Sequence, residues 1–118
     1  MVKRSVMPRI TKRTTPQALI RRMVRRIVDK FHPEQVILFG SHARGDAGPD
    51  SDVDLLIVMD FEGTAFDKGL EIMHVLDHGL TPLDVIVTRP ADFAWRKEVV
   101  GTIEWPAARE GKVLYARP

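Results

Sequence analysis

One strand-like run carries two acids and limits the folds open to this chain more than any other feature: Asp52-Val53-Asp54-Leu55-Leu56-Ile57-Val58-Met59. Side chains alternate along a strand, so Asp52 and Asp54 share one face while Val53 and Leu55 point to the other. The apolar continuation to Met59 reads as a strand covered on both faces. Aspartate is disfavoured inside strands. Two carboxylates side by side repel each other unless positive charge lies between them. A hard divalent cation with oxygen ligands is the usual answer, and Mg²⁺ held by one or two carboxylates plus substrate phosphates suits such a pair.

What precedes the run sharpens the reading. A second apolar run, Val36-Ile37-Leu38-Phe39, leads into Gly40-Ser41-His42-Ala43-Arg44-Gly45. Gly40 allows a sharp turn and close approach of a ligand. Ser41 suits the N-cap of a short helical turn, where free N–H groups and the helix dipole favour phosphate. Gly45 and Gly48-Pro49 then end the turn in a loop. Two other phosphate or cation motifs fail. Gly40-x₄-Gly45 is followed by Asp46-Ala47, where a P-loop needs Lys and Ser or Thr. Asp50-x-Asp52-x-Asp54 begins like an EF-hand loop, but Leu55 replaces its Gly and Phe61 its closing Glu.

Gly40-Ser41, ten intervening residues and then Asp52-x-Asp54 resembles the signature of the DNA polymerase beta nucleotidyltransferase superfamily. The short chain and Ala43-Arg44-Gly45-Asp46 resemble its smallest branch, the minimal nucleotidyltransferase (MNT) proteins. The family takes a third carboxylate from a later strand, and the match here is Asp84 in Pro82-Leu83-Asp84-Val85-Ile86-Val87. The resemblance runs from about Val36 to the C-terminus. It implies Asp52, Asp54 and Asp84 as catalytic residues and ligands of two Mg²⁺ ions, with Asp84 accepting the acceptor's proton. It implies Gly40 and Ser41 as holders of the leaving phosphates of ATP. Arg44 is a further candidate for phosphate contact, since arginines beside anion sites commonly serve that role.

The rest of the chain supplies elements to build around that site. Thr15 as N-cap, Pro16 at the first helical position and apolar residues from Leu19 to Phe31 at three- and four-residue spacing predict a helix ending near Phe31-His32. Arg21, Arg22, Arg25 and Arg26 fall on its opposite face. Strands are expected at Gln35–Phe39, Asp52–Asp60 and Leu83–Thr88. A second helix, capped by Thr64, is expected to run to about Leu80 and to bury Phe66, Leu70, Met73 and Leu76. A third should span Pro90–Val100 with Phe93 and Val99 inward, followed by a turn at Pro106–Glu110 and a short strand at Val113–Tyr115. His74 and His78, four apart, read as a solvent face beside Asp67 and Glu71. The order predicts an α/β (α+β) nucleotidyltransferase fold, a mixed sheet of three to five strands covered by helices.

With 118 residues there is material for one modest core. Residues 1–13 are expected to form a basic, loosely ordered arm, and residues 14–118 a single minimal nucleotidyltransferase domain. The net charge of +2 conceals an asymmetry: residues 1–30 hold ten Lys and Arg against Asp29 alone, and the remainder is acidic. Such a front end can contact nucleic acid or an acidic protein, although charged helix faces are more often simply solvated. There is no cysteine, hence no disulfide framework or thiolate metal site. No apolar stretch follows the first residues and none approaches a membrane span. A cytoplasmic location is expected.

Larger relatives in the superfamily carry further domains that bind base and acceptor, for which this chain has no room. The resemblance therefore implies a protein partner. MNT proteins typically pair with a helical HEPN toxin, and some transfer AMP from ATP to a tyrosine of it, so the expected assembly is a hetero-oligomer in which this chain is the antitoxin. An alternative is a nucleotide-binding module that neutralises the toxin by occlusion alone. A third reading, RNA binding through Arg21, Arg22, Arg25 and Arg26, would show strongly salt-dependent affinity.

Overall fold

A computed structural model describes residues 15–118. The expected basic arm, residues 1–13, lies outside them. Helix α1 (Pro16–Phe31) begins where the sequence signals it: Thr15 Oγ1 accepts a hydrogen bond from the Ala18 amide at 3.1 Å, with Pro16 at the first position. It ends at His32, whose left-handed backbone (φ 51°) turns the chain toward Pro33. Its apolar stripe, Leu19, Ile20, Met23, Val24 and Ile27, is buried.

Strand β1 (Gln35–Phe39) leads through a one-turn helix α2 (Ser41–Arg44) and a loop to β2 (Val53–Val58). Helix α3 (Ala65–His74) crosses to β3 (Leu83–Thr88), and α4 (Pro90–Arg96) and α5 (Glu104–Glu110) precede β4 (Lys112–Ala116). The sheet order is β3-β2-β1-β4. β1 pairs antiparallel with β2 and β4, whereas β2 and β3 are parallel. A parallel pair needs a long crossover connection, and α3 provides it.

Alternation along the strands divides the core into two. Val36, Leu38, Leu55, Ile57, Val85 and Val87 meet α1 and α3 on one face. Ile37, Leu56 and Val58 meet Phe93 of α4 and Ala107 of α5 on the other. The central strands are therefore apolar on both sides, as β1 and β2 read in the sequence.

Several expectations change. β2 is shorter than Asp52–Asp60, because Asp52 and the residues after Val58 lie outside the ladder. α3 stops at His74 rather than Leu80. Its buried contacts are Gly69 and Ile72, while Phe66 is 74% and Leu70 39% exposed. The reason is close approach: a Cβ on Gly69 would stand 2.9 Å from the Val85 carbonyl oxygen, so the helix lies on β3 through its glycine and turns Phe66 and Leu70 outward. His78 consequently leaves the helix, and its Nδ1–H donates to the Thr81 carbonyl at 2.7 Å. α4 stops at Arg96, leaving Val99 exposed, and the final helix begins at Glu104, two residues before the expected turn. Glu104 is itself buried. Its Oε2 accepts from Thr88 Oγ1 at 2.8 Å and from Arg96 Nε at 3.0 Å, tying α4 and α5 to β3.

Ile27 is fully buried at the centre of the α1 contact. Ile27→Ala is expected to destabilise the protein by about 2–5 kcal/mol through lost transfer energy and the cavity left behind. Urea denaturation followed by circular dichroism measures this.

Candidate active site

The parallel ladder between β2 and β3 places Asp54 directly beside Asp84, as Cα partners. Neighbouring strands lie about 4.8 Å apart, and paired residues project to the same face. That face carries Leu56, Val58 and Ile86 farther along, which α4 and α5 cover. The cover does not extend to the ends of the strands, so Asp54 is half-buried and Asp84 exposed. Asp52, one residue before β2, is exposed at the same end. The sheet thus gathers the three acids picked out in the sequence at one end of one face.

β1 runs antiparallel to β2, so its last residue, Phe39, pairs with Asp54 and the chain leaves the sheet beside the acids. Gly40 makes that exit. Its backbone sits at φ 73°, ψ −157°, which side-chain-bearing residues avoid, and a Cβ there would collide with the Asp54 carboxylate. The sequence assigned the N-cap to Ser41. The structure gives it to Gly40 and makes Ser41 the first helical residue. A glycine cap has no side chain with which to occupy the leading N–H groups of α2, so that turn meets the acid pair uncapped. The Gly40 carbonyl accepts from Ala43 and Arg44, and Gly45, at φ 88°, closes the turn.

The electrostatics follow from this crowding. Partial burial, then the neighbouring carboxylates of Asp84 and Asp52, raise the Asp54 pKa above its ordinary 3.8, while His42 and Arg44 oppose the rise. His42 had no assigned role in the sequence. Its Nε2–H donates to the Ser51 carbonyl at 3.3 Å, pinning the loop before Asp52 to α2. Its only sequence signal is its place two residues after Gly40. Arg44 is engaged by acids rather than aimed at open space: its Nε lies 3.3 Å from Asp46 Oδ2 and its Nη1 3.8 Å from Glu110 Oε1. Both are exposed pairs of small energetic worth, so they leave the guanidinium able to exchange partners.

Carboxylate oxygens suit a hard cation in kind, and the unrelieved repulsion raising the Asp54 pKa is what a cation there would remove. Among the described residues, no three acids or histidines stand close enough together to form a closed metal cage. The donor set fits Mg²⁺ that also draws ligands from a bound phosphate, with Asp52, Asp54 and Asp84 as the protein's share. Such an ion would supply charge neutralisation at the phosphates.

A raised pKa means the fold binds the Asp54 proton more tightly than the unfolded chain does. Stability of the metal-free protein should therefore fall as pH rises from about 3.8 through the raised value, and the penalty should remain in full above it. Asp54→Asn should unfold at a higher temperature than the parent in chelator at pH 7. That advantage should vanish below pH 3.8, where both states of the parent are protonated. Thermal melts at the two pH values check this, and an unchanged melting temperature at pH 7 contradicts it.

Comparison with known proteins accords with this geometry. A profile of the nucleotidyltransferase domain matches residues 20–104, a span that holds Gly40, Ser41 and all three acids. A candidate protein adenylyltransferase of Methanocaldococcus jannaschii is 33% identical over 84 residues, covering 70% of this chain and 78% of that protein. A crystal structure of a candidate nucleotidyltransferase from Sulfolobus solfataricus superposes with a TM-score of 0.59 at 24% identity, over 84% of this chain and 78% of the other. A toxin–antitoxin crystal structure with AMP-PNP superposes with a TM-score of 0.53 at 18% identity, over 87% and 75%. At these identities the two structures speak for the fold alone. Together, the matched profile and the archaeal relative show that this chain belongs to the nucleotidyltransferase-domain family.

Proposed function

We propose that this protein transfers a nucleoside monophosphate, AMP from ATP, to a hydroxyl on a protein partner, and that the partner is a HEPN-type toxin modified on a tyrosine. The observation that carries the reading is the pairing of Asp54 with Asp84 at the open end of the sheet, against the turn made by Gly40. Phosphoryl-type transfer asks a protein mainly for positioning and charge neutralisation. The acceptor oxygen attacks the α-phosphorus, an O–P bond forms, and the bond from the α-phosphorus to the bridging oxygen breaks, releasing pyrophosphate. Asp84, exposed to the approaching acceptor, takes its proton. The uncapped turn at Gly40 and Ser41 holds the leaving phosphates, and Arg44 joins them on leaving its exposed carboxylate partners. Asp52, Asp54 and Asp84 would hold Mg²⁺, which would supply charge neutralisation at the triphosphate.

The archaeal relative's name points to a protein acceptor, and the toxin–antitoxin neighbour to a toxin partner and an adenine nucleotide. The motif pattern resembles that of the MNT proteins, and their typical pairing with HEPN toxins supports that partner type in this reading. A second reading is a module that neutralises its toxin by occlusion, favoured by the absence, among the described residues, of a preassembled three-acid cage.

The test combines the protein with ATP, Mg²⁺ and the protein encoded beside it, and reads intact mass. The partner should gain the mass of one nucleotidyl group, a nucleoside monophosphate less one water, per modified tyrosine. Asp54→Asn should slow the transfer by about a hundredfold or more, as expected when charge stabilisation at the reacting phosphate is lost. Occlusion alone predicts no mass gain and toxin neutralisation that survives both Asp52→Asn and Asp54→Asn.

A further inference from the structure

A cleft of about 710 Å³ lies between α1 and β4. Its floor is apolar: Ile20, Val24 and Leu38 are buried beneath it, and Leu114 and Tyr115 of β4 line its side, with Leu114 38% exposed. Its rim is cationic, with Arg21, Arg25 and Lys112 against one carboxylate, Asp29. β4 pairs with β1 on one side and, as the last strand in the sheet order, has no strand partner on the other among the described residues. One end of the cleft reaches His42, the residue whose charge acts on Asp54. The same end holds Lys112, which pairs with Leu38 one residue before the strand ends at Phe39.

We infer that this cleft docks the acceptor protein. The occupant is an extended acidic–apolar segment that adds a strand to the edge of β4. Its apolar side chains enter the floor, its carboxylates meet Arg21, Arg25 and Lys112, and its hydroxyl-bearing residue is delivered past His42 toward the aspartates. A free strand edge supplies main-chain hydrogen bonds, and alternating pockets along it supply selectivity. Charge complementarity excludes a basic occupant and quickens encounter with an acidic one. The inference rests on the proposed transfer to a protein for its purpose, but not for its binding event.

The probe is a synthetic ten-residue peptide of alternating Glu and Val with one central Tyr, and a control with Lys for Glu. Binding is followed by fluorescence anisotropy without nucleotide. The acidic peptide should bind and the basic one should not. Arg21→Glu combined with Arg25→Glu should weaken binding by about tenfold or more, and added salt should do the same. Val113→Lys, an exposed change at the edge, is an independent second variant and should weaken it as well. Equal binding of both peptides, or variants indistinguishable from the parent, overturns the inference. A protein lacking residues 2–13 that binds the peptide more tightly places the chain's own arm in the cleft and also overturns it. Binding that behaves as expected, without nucleotidyl transfer to the peptide or the partner, overturns the proposed reaction and leaves the docking surface standing.

Discussion

Parallel pairing of β2 with β3, in a sheet otherwise antiparallel, is the constraint on which the remainder depends. In an antiparallel hairpin the start of one strand meets the end of the next, and Asp54 and Asp84 would be separated by the length of the sheet. Running the two strands the same way puts both starts at one end and both acids in register. The arrangement needs α3 as a crossover, and α3 fits only because Gly69 lets it settle on β3 at the Val85 carbonyl. Two carboxylates brought together without a fixed counterion raise the cost of ionisation, which burial of Asp54 increases. The fold accepts that cost at an open end of the sheet, where Asp84 and Asp52 stay exposed.

Gly40 links the second half of the site to the first. A backbone conformation closed to other residues and the contact with Asp54 act on the same atom, so the turn and the acid specify each other. His42 and Arg44 follow within one turn and oppose the carboxylates' charge. The uncapped turn and the acids are thus one local arrangement made by adjoining strand ends.

Much of this was legible in the residues. The Thr15-Pro16 start, the α1 stripe, β1 and β3 came directly from capping chemistry and periodicity. Asp52, Asp54 and Asp84 were singled out by acidity where strands disfavour it, and the structure brings them to one end of the sheet. Failures occurred where tertiary contact overrode local pattern. Phe66 and Leu70 have the spacing of a buried stripe, but Gly69 sets which side of α3 meets the sheet. Glu104, to which the sequence assigned no role, is buried, because Thr88 and Arg96, sixteen and eight positions away, supply its partners. Arg44 was a candidate phosphate ligand, and its contacts with Asp46 and Glu110 depend on a loop and a distant helix whose placement no local spacing encodes.

The ladder between β1 and β4 slips by one residue, so that Leu114 is the extra residue of a bulge. Bulges twist an edge and shorten the stretch that can be copied by another strand. With Lys112 at its start and Arg117 just past its end, this edge repels an identical edge from a second molecule while remaining open to one of opposite sign. Like charge at this margin would thus disfavour stacking of copies strand against strand.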